Sequence, residues 1–260
     1  MNREYTSYLR IPHLWGLKKG DVVLLTSDVS RLSFSCLDNG EVFDPDLFID
    51  EIISVIGEDG TLLIPTYNWD FCHGVAFDYK KTPCKTGALG KVALKRKDFI
   101  RSKHALYSFA VKGKYQDLLV GMNNTSSFGA DSPFSFLEMM KAKNVIIDVD
   151  LTHCFTYVHY IEDRAGVNNY RYQKNFTAQY IDENGVETTR TYSMLVRDLN
   201  DFYGNDFDPL EIELEEKGAM SVVFINDIKY RIVDLFKSSG IIIDDIRNNQ
   251  SRKICKHKWQ

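Results

Sequence analysis

Asp21-Val-Val-Leu-Leu-Thr26 is the stretch that decides the fold. Four apolar residues follow Gly20-Asp21, and the polar Thr26-Ser27-Asp28 closes the run, so it reads as a short buried strand. Asp44-Pro45 then opens a helix through Ile56, with apolar residues at 48, 49, 52, 53, 55 and 56. Gly57 to Gly60 is a turn, and Thr61-Leu-Leu-Ile-Pro65 is a second buried strand. The alternation continues outward. Thr86 caps a helix from Gly87 to Arg96, Ser108 to Val111 is a short strand, and Ser132-Pro133 starts a helix reaching Lys141. Asn144 to Val149 is another apolar strand, and a helix follows from about Phe155 to Arg164. Strands alternating with helices predict an α/β fold: a central mixed β-sheet flanked by helices, with a smaller β-hairpin-containing lobe.

That lobe begins where the pattern changes, near Gly166. Tyr170 to Ile181 alternates and is rich in aromatics, Glu183-Asn184-Gly185 is a turn, and Val186 to Val196 is the returning strand. An acidic helix over 209–217, a strand over Met220 to Ile225, a helix from Ile228 to Ser238 and a last strand at Ile241 to Ile243 complete the pattern. The organisation expected is a core over 1–166 carrying the cofactor and catalytic motifs, a hairpin lobe over 167–205, a helix–strand part over 206–246 completing the core, and a polar, basic, mobile tail over 247–260.

Composition excludes several classes. The chain has 260 residues, a formal charge of −4, 44% hydrophobic and 26% charged residues. That is too apolar and too weakly charged for a disordered chain. No apolar run approaches the roughly 18 residues of a membrane span, so no membrane insertion is expected. Mild acidity gives no broad footprint for nucleic acid. The N-terminal stretch lacks the apolar core of a signal peptide. The five cysteines are irregularly spaced, without a CxxC pair, as for free thiols in a reducing compartment. The expected location is cytoplasmic.

The densest chemistry lies in Thr156-Tyr-Val-His159-Tyr-Ile-Glu162-Asp163. Residues three apart share a helix face, so Thr156, His159 and Glu162 form one ridge with Asp163 at its edge. A histidine beside carboxylates is a general base suited to neutral pH; a surface helix with a bystander histidine has the same spacing. A metal site finds no third ligand there, and none is expected. Cys154 and His159 are five apart, poor helical geometry for a Cys–His nucleophile. GxGxxG and GxxxxGK[ST] are both absent. The loop Ser127-Phe-Gly-Ala-Asp-Ser-Pro133 feeds a helix start that either offers N–H groups to an oxygen atom or is a plain capped turn. Residues 91–103 carry a net +5, a solvated face or a site for phosphates.

Together these stretches resemble the antibiotic N-acetyltransferase family, typified by aminoglycoside 3-N-acetyltransferases. The resemblance spans about residues 14 to 240. It rests on Gly20-Asp21, Gly60-Thr-Leu-Leu-Ile-Pro-Thr66, Thr82-Pro83 with Thr86-Gly87-Ala-Leu-Gly90, Arg101-Ser-Lys-His104 with Ser108-Phe-Ala-Val-Lys-Gly113, Phe128-Gly-Ala-Asp-Ser-Pro133, and Thr156-x-x-His159-x-x-Glu162 in shared order. It implies acyl transfer from acyl-coenzyme A to an amine on a sugar. The implied base is His159, oriented by Asp208 (or Glu211 if the register slips), with Glu162 positioning the amine or the histidine. Ser27, Arg101, Ser102, Lys103 and Ser132 are the implied cofactor contacts, with Ser27 and Ser132 candidates for the oxyanion. Asp70 and Thr156 are the candidate acceptor contacts. The stretch Thr26-Ser27-Asp28 stands where aminoglycoside-modifying members have a His-Ser-Ser-like sequence, and Ala105 stands where proline is usual. These departures favour an acceptor of the nucleotide-linked (dTDP-type) 3-amino-dideoxy sugar class, used in surface glycan synthesis, over an aminoglycoside. The hairpin aromatics Tyr170, Tyr172, Phe176 and Tyr180 either stack on such an acceptor or form the packed face of the lobe. The acidic run over 205–216, net −6, is expected near the catalytic histidine. A silent binding protein with the same fold is the third reading, and a homo-oligomer is left open.

Overall fold

The computed structural model describes residues 5–200 and 202–257 of the chain. In chain order the first half contains β1 (Val22–Ser27), α1 (Ser30–Asp38), α2 (Pro45–Ile56), β2 (Thr61–Pro65), β3 (Phe77–Asp78), α3 (Ala88–Ala93), β4 (Ile100–Arg101), β5 (Phe109–Gly113) and α4 (Gln116–Gly121). Next come α5 (Pro133–Met139), β6 (Lys143–Ile147), α6 (Leu151–Cys154), α7 (Tyr157–Arg164), β7 (Arg171–Ile181) and β8 (Glu187–Arg197). The chain closes with β9 (Phe202–Asn205), α8 (Asp208–Glu216), β10 (Met220–Ile225), β11 (Ile228–Asp234), α9 (Leu235–Asn248) and β12 (Cys255–His257).

Seven strands form the central sheet in the order β10-β11-β6-β1-β2-β5-β4. Its middle is parallel: Val23 and Leu24 of β1 register with Lys143 and Asn144 of β6 on one side and with Leu62 and Leu63 of β2 on the other. Antiparallel neighbours flank this middle, with β5 beside β2 and β11 beside β6. The apolar runs of β1 and β2 have no polar face because both sides of the sheet are covered. Val22, Leu24, Leu63 and Ile146 enter the core on one face, whereas Val23, Leu25, Leu62 and Ile64 enter the core on the other. Helix α2 starts where expected, with Pro45 at its first turn and the Asp44 carboxylate accepting from the N–H groups of Asp46 and Leu47. It ends at Gly57, whose φ of +67° favours glycine.

Strands β7 and β8 form the expected long hairpin, registered from Arg171–Arg197 to Ile181–Glu187, and β3 joins it in a three-stranded sheet. The Asp182 carboxylate accepts from the N–H groups of Asn184 and Val186 at the turn. The C-terminal part differs from expectation. Ile228–Asp234 is a strand, not the start of a helix, because Asn226 and Asp227 both take positive φ and fold β10 back onto β11 as a tight hairpin. The helix begins only at Leu235, capped by Asp234, so Ile241 to Ile243 lie inside α9 rather than in a strand. The tail expected to be mobile is partly buried instead: Ile254 and Cys255 are covered, and β12 pairs with β9. Its last residues, 258–260, lie outside the described residues. No helix among the described residues is long and apolar enough to cross a membrane.

Candidate active site

Helix α7 carries the ridge seen in the sequence. Tyr157, Val158, Tyr160 and Ile161 are buried and fix the helix against the core. His159 Nδ1 lies 2.7 Å from Glu162 Oε2, one turn on. Glu162 is fully buried, and Arg171 Nε approaches the same oxygen at 2.7 Å. The rings of Phe128 and Phe207 stand edge-on to the imidazole, at 6.1 and 6.4 Å between centroids. These contacts hold the ring in one plane.

The electrostatics follow from this arrangement. Burial and the Arg171 charge outweigh Glu162 and hold the His159 pKa below its ordinary value. Burial pushes the Glu162 carboxyl up, but Arg171 and the His159 hydrogen bond outweigh it and hold the net pKa below the ordinary range. At neutral pH the carboxylate is therefore ionised and the imidazole neutral. An ionised carboxylate only accepts, so Nδ1 carries the hydrogen and donates it. Nε2 keeps its lone pair, which is the form a general base requires.

Two cavities flank Trp69, which lines both. The first, about 310 Å³, lies at the carboxyl ends of β1 and β2, where open α/β sheets commonly bind ligands. Thr26, Ser27, Pro65, Thr86 and Thr156 contribute hydroxyl and apolar surface to it. The second, about 440 Å³, lies between α7 and the hairpin. His159 lines this second cavity, together with Arg171, Lys174, Arg197, Tyr172 and Phe176.

The sequence-expected residues divide among these places. His159 and Glu162 are in direct contact. Ser27 and Thr156 line the first cavity. Asp70 sits beside Trp69 and pairs with Lys85, whose side chain also lines that cavity. Asp208 is not the partner of the imidazole: it is exposed at the first turn of α8, and the carboxylate on His159 is Glu162. Glu211 is held by Lys229 and Arg231 instead.

Arg101 and Ser102 are buried and brace the interior. The Arg101 guanidinium donates to the carbonyls of Thr82 (2.6 Å) and Thr66 (3.2 Å) and to Ser108 Oγ (3.0 Å), and lies over the Phe77 ring. Ser102 Oγ accepts from the Phe109 N–H. Lys103 pairs with Glu183 of the hairpin turn, and Ser132 caps α5; neither lines either cavity. The basic run over 91–103 is likewise dispersed, with Arg96 tied to Asp46, Asp50 and Asp98. The acidic run over 205–216 is met by lysines and arginines of its own neighbourhood, as for Asp206 with Lys256 and Glu213 with Lys217 and Lys253.

The residues the sequence did not single out are Trp69, Arg171, Lys174 and Arg197. Arg171, Lys174 and Arg197 carry no signal beyond membership of the hairpin, and Trp69 lies in the loop after β2. The hairpin aromatics share one strand parity but differ along its length: Tyr170 and Tyr180 are buried, while Tyr172 and Phe176 line the second cavity. Cys154 lines the first cavity, but burial raises its thiol pKa far above the ordinary value, so it has no thiolate character. Among the described residues no group of three or more His, Cys, Asp or Glu side chains is arranged to hold a metal ion.

Comparison with known proteins follows the same lines. A family profile described as aminoglycoside 3-N-acetyltransferase matches residues 24–241. Among solved structures, the YokD protein from Bacillus subtilis aligns with a TM-score of 0.76 at 22% identity, over 96% of each chain. The aminoglycoside acetyltransferase AAC(3)-Xa aligns at 0.74 and 19%, covering 93% of this chain and 92% of that one. AAC-IIIb, solved as a binary complex with CoASH, aligns at 0.74 and 16%, covering 95% of this chain and 98% of that one. At such identities the structural likeness speaks for the fold. No curated protein matches the sequence.

Proposed function

The chain belongs to the antibiotic N-acetyltransferase family, and from that membership we propose that it transfers an acetyl group from acetyl-coenzyme A to an amine of an amino-sugar acceptor. The observation that carries this reading is the contact of half-buried His159 with buried Glu162 at 2.7 Å, with the imidazole on the wall of a cavity. An alkyl ammonium has no lone pair, so a base must remove its proton before or during attack on the thioester carbonyl. His159 Nε2 receives that proton, and Glu162 stabilises the imidazolium that results. The new C–N bond forms as the C–S bond breaks, and the thiolate leaves with the coenzyme. Direct transfer needs no enzyme nucleophile, consistent with the high Cys154 pKa.

Acetyl-coenzyme A supplies an acyl group already activated as a thioester. The first cavity suits its arm, because a narrow cleft with apolar walls and the hydroxyls of Thr26, Ser27, Thr86 and Thr156 matches a chain of methylenes and amides. A base must touch the amine, so the second cavity, which His159 lines, takes the acceptor. Trp69 lines both cavities, so on this reading the thioester and the amine meet beside its ring.

Two acceptors fit this reading and differ in charge. The family description supports an aminoglycoside more directly than the nucleotide-linked amino sugar expected from the Thr26-Ser27-Asp28 stretch. One observation favours the second: Arg171, Lys174 and Arg197 line the acceptor cavity, and no Asp or Glu lines it among the described residues. Such a lining suits a phosphate-bearing amine better than a polycation. Thiol release from acetyl-coenzyme A, measured with kanamycin, gentamicin and dTDP-linked 3-amino and 4-amino sugars, decides between them. His159→Asn is expected to lower turnover by about 10²- to 10⁴-fold with the fold intact. Near-normal turnover in that variant, or no release with any amine, defeats the reading.

A further inference from the structure

We propose that Arg171 is a positioning residue that holds Glu162 against His159, and that the C-terminal strand β12 backs it through Asn205. This rests on the acyl-transfer reading of the same site. Arg171 Nε and His159 Nδ1 both stand 2.7 Å from one oxygen, Glu162 Oε2. A carboxylate with a single partner can swing about its terminal torsion, which has only broad preferences. A planar guanidinium on the same oxygen removes that freedom. Arg171 is itself buried, and its Nη2 donates to Asn205 Oδ1 at 2.9 Å.

Asn205 is the last residue of β9 and registers with Cys255 of β12. A second anchor lies alongside, where the Tyr170 hydroxyl donates to Ser251 Oγ at 2.9 Å and Tyr170 packs on Cys255. The tail is thus the wall behind the base of the hairpin. The chain of contacts runs from β12 to Asn205, then to Arg171, Glu162 and His159.

Several charged or titratable groups act on this pair. Glu162 acts on the imidazole from α7, Arg171 from β7 and Arg197 from β8. Tyr170 and Cys255 lie close enough to Glu162 to feel its charge. Both arginines disfavour the imidazolium, so removing one raises the imidazole pKa.

NMR titration of the His159 imidazole in the full chain reads this link without requiring turnover. Arg171→Gln is expected to raise the His159 pKa, and Arg171→Lys, which keeps the charge, to raise it less. Asn205→Ala is expected to shift it in the same direction. Turnover supplies the second arm. Arg171→Gln alone is expected to lower kcat about tenfold with the KM for acetyl-coenzyme A unchanged, yet to cost little more once Glu162→Gln is present. An unchanged titration in a folded Arg171→Gln chain overturns the proposal, and so do losses from the two substitutions that multiply independently. If Arg171→Gln does not fold, Asn205→Ala decides, and an unchanged titration with unchanged kcat overturns the proposal. A chain that acetylates no amine defeats the function reading but leaves the titration result standing.

Discussion

The two sides of Trp69 are built from different kinds of chain. The first cavity is made by the ends of sheet strands and the loops after them, and its hydroxyls come from residues such as Thr26, Ser27 and Thr156. The second is made where a hairpin folds over a helix, and its character comes from Arg171, Lys174 and Arg197. Of these two, His159 lines the second. On the proposed reading, the contrast assigns the thioester and the amine to separate surfaces. One surface would take a flexible arm by shape and hydroxyl hydrogen bonds. The other would select the charge of the acceptor and set the protonation state of the base.

The sharpest way to break that division is to neutralise the carboxylate that belongs to the second side alone. Glu162→Gln leaves Arg171 buried without this counter-charge and removes the negative charge that stabilises the imidazolium. The expected loss is about 3–5 kcal/mol of stability, as for other buried pairs that lose one partner, with kcat lower by about 10²-fold. Urea melts and thiol-release kinetics check the two parts. A KM for acetyl-coenzyme A that rises while kcat holds would mean that the two surfaces are not separate.

The strands that end at the first cavity, and helix α2 between them in the chain, are legible because each carries its own signal. The apolar run of β1, the capped start of α2 and the run of β2 need no distant partner to be recognised. His159 and Glu162 were legible for the same reason, being one turn apart on one helix. The hairpin cations were not, because a strand's sequence does not say which helix it will fold across. Ile228–Asp234 reads as a helix start, although Ile228, Tyr230 and Ile232 alternate, because helix α9 follows without a break and Asn226-Asp227 turns the chain only through its positive φ angles. The family register points to Asp208, whereas the carboxylate on the imidazole is Glu162, within the motif itself.

A change of charge on the second side tests the acceptor directly. Arg197→Glu and Lys174→Glu are each expected to shift the ratio of kcat/KM between kanamycin and a dTDP-linked amino sugar about tenfold toward kanamycin, an effect of roughly 1.4 kcal/mol. The KM for acetyl-coenzyme A is expected to stay put. An equal change for both acceptors would move these cations out of the recognition surface.

Acid is expected to soften the second side first. His104 is buried behind it, and its Nδ1 accepts from the N–H groups of Leu106 and Tyr107. Burial pushes its pKa down to about 3. A histidine depressed in the folded state contributes its stability above the unfolded value, near 6.5, and loses it as the pH falls toward 3. Between pH 7 and 5 the expected loss is about 2 kcal/mol, and the depressed His159 adds to it in the same direction. Urea midpoints across that range check this, with His104→Gln flattening the dependence.

The smallest expected effect is at Asp208, and it is informative because it is small. The side chain is exposed in the first turn of α8, where an acidic residue gains only the helix-dipole interaction of about 0.3–1 kcal/mol. Its own N–H donates to Asp206 Oδ1, a turn contact that an asparagine at 208 preserves. Phe207, not Asp208, faces the imidazole from this segment. Asp208→Asn should therefore lower stability by less than about 1 kcal/mol and leave kcat within about twofold. Thermal melting and thiol release measure both. A drop in kcat of tenfold or more at unchanged KM would bring a second carboxylate to the histidine and give α8 a share in the chemistry now assigned to α7 and the hairpin.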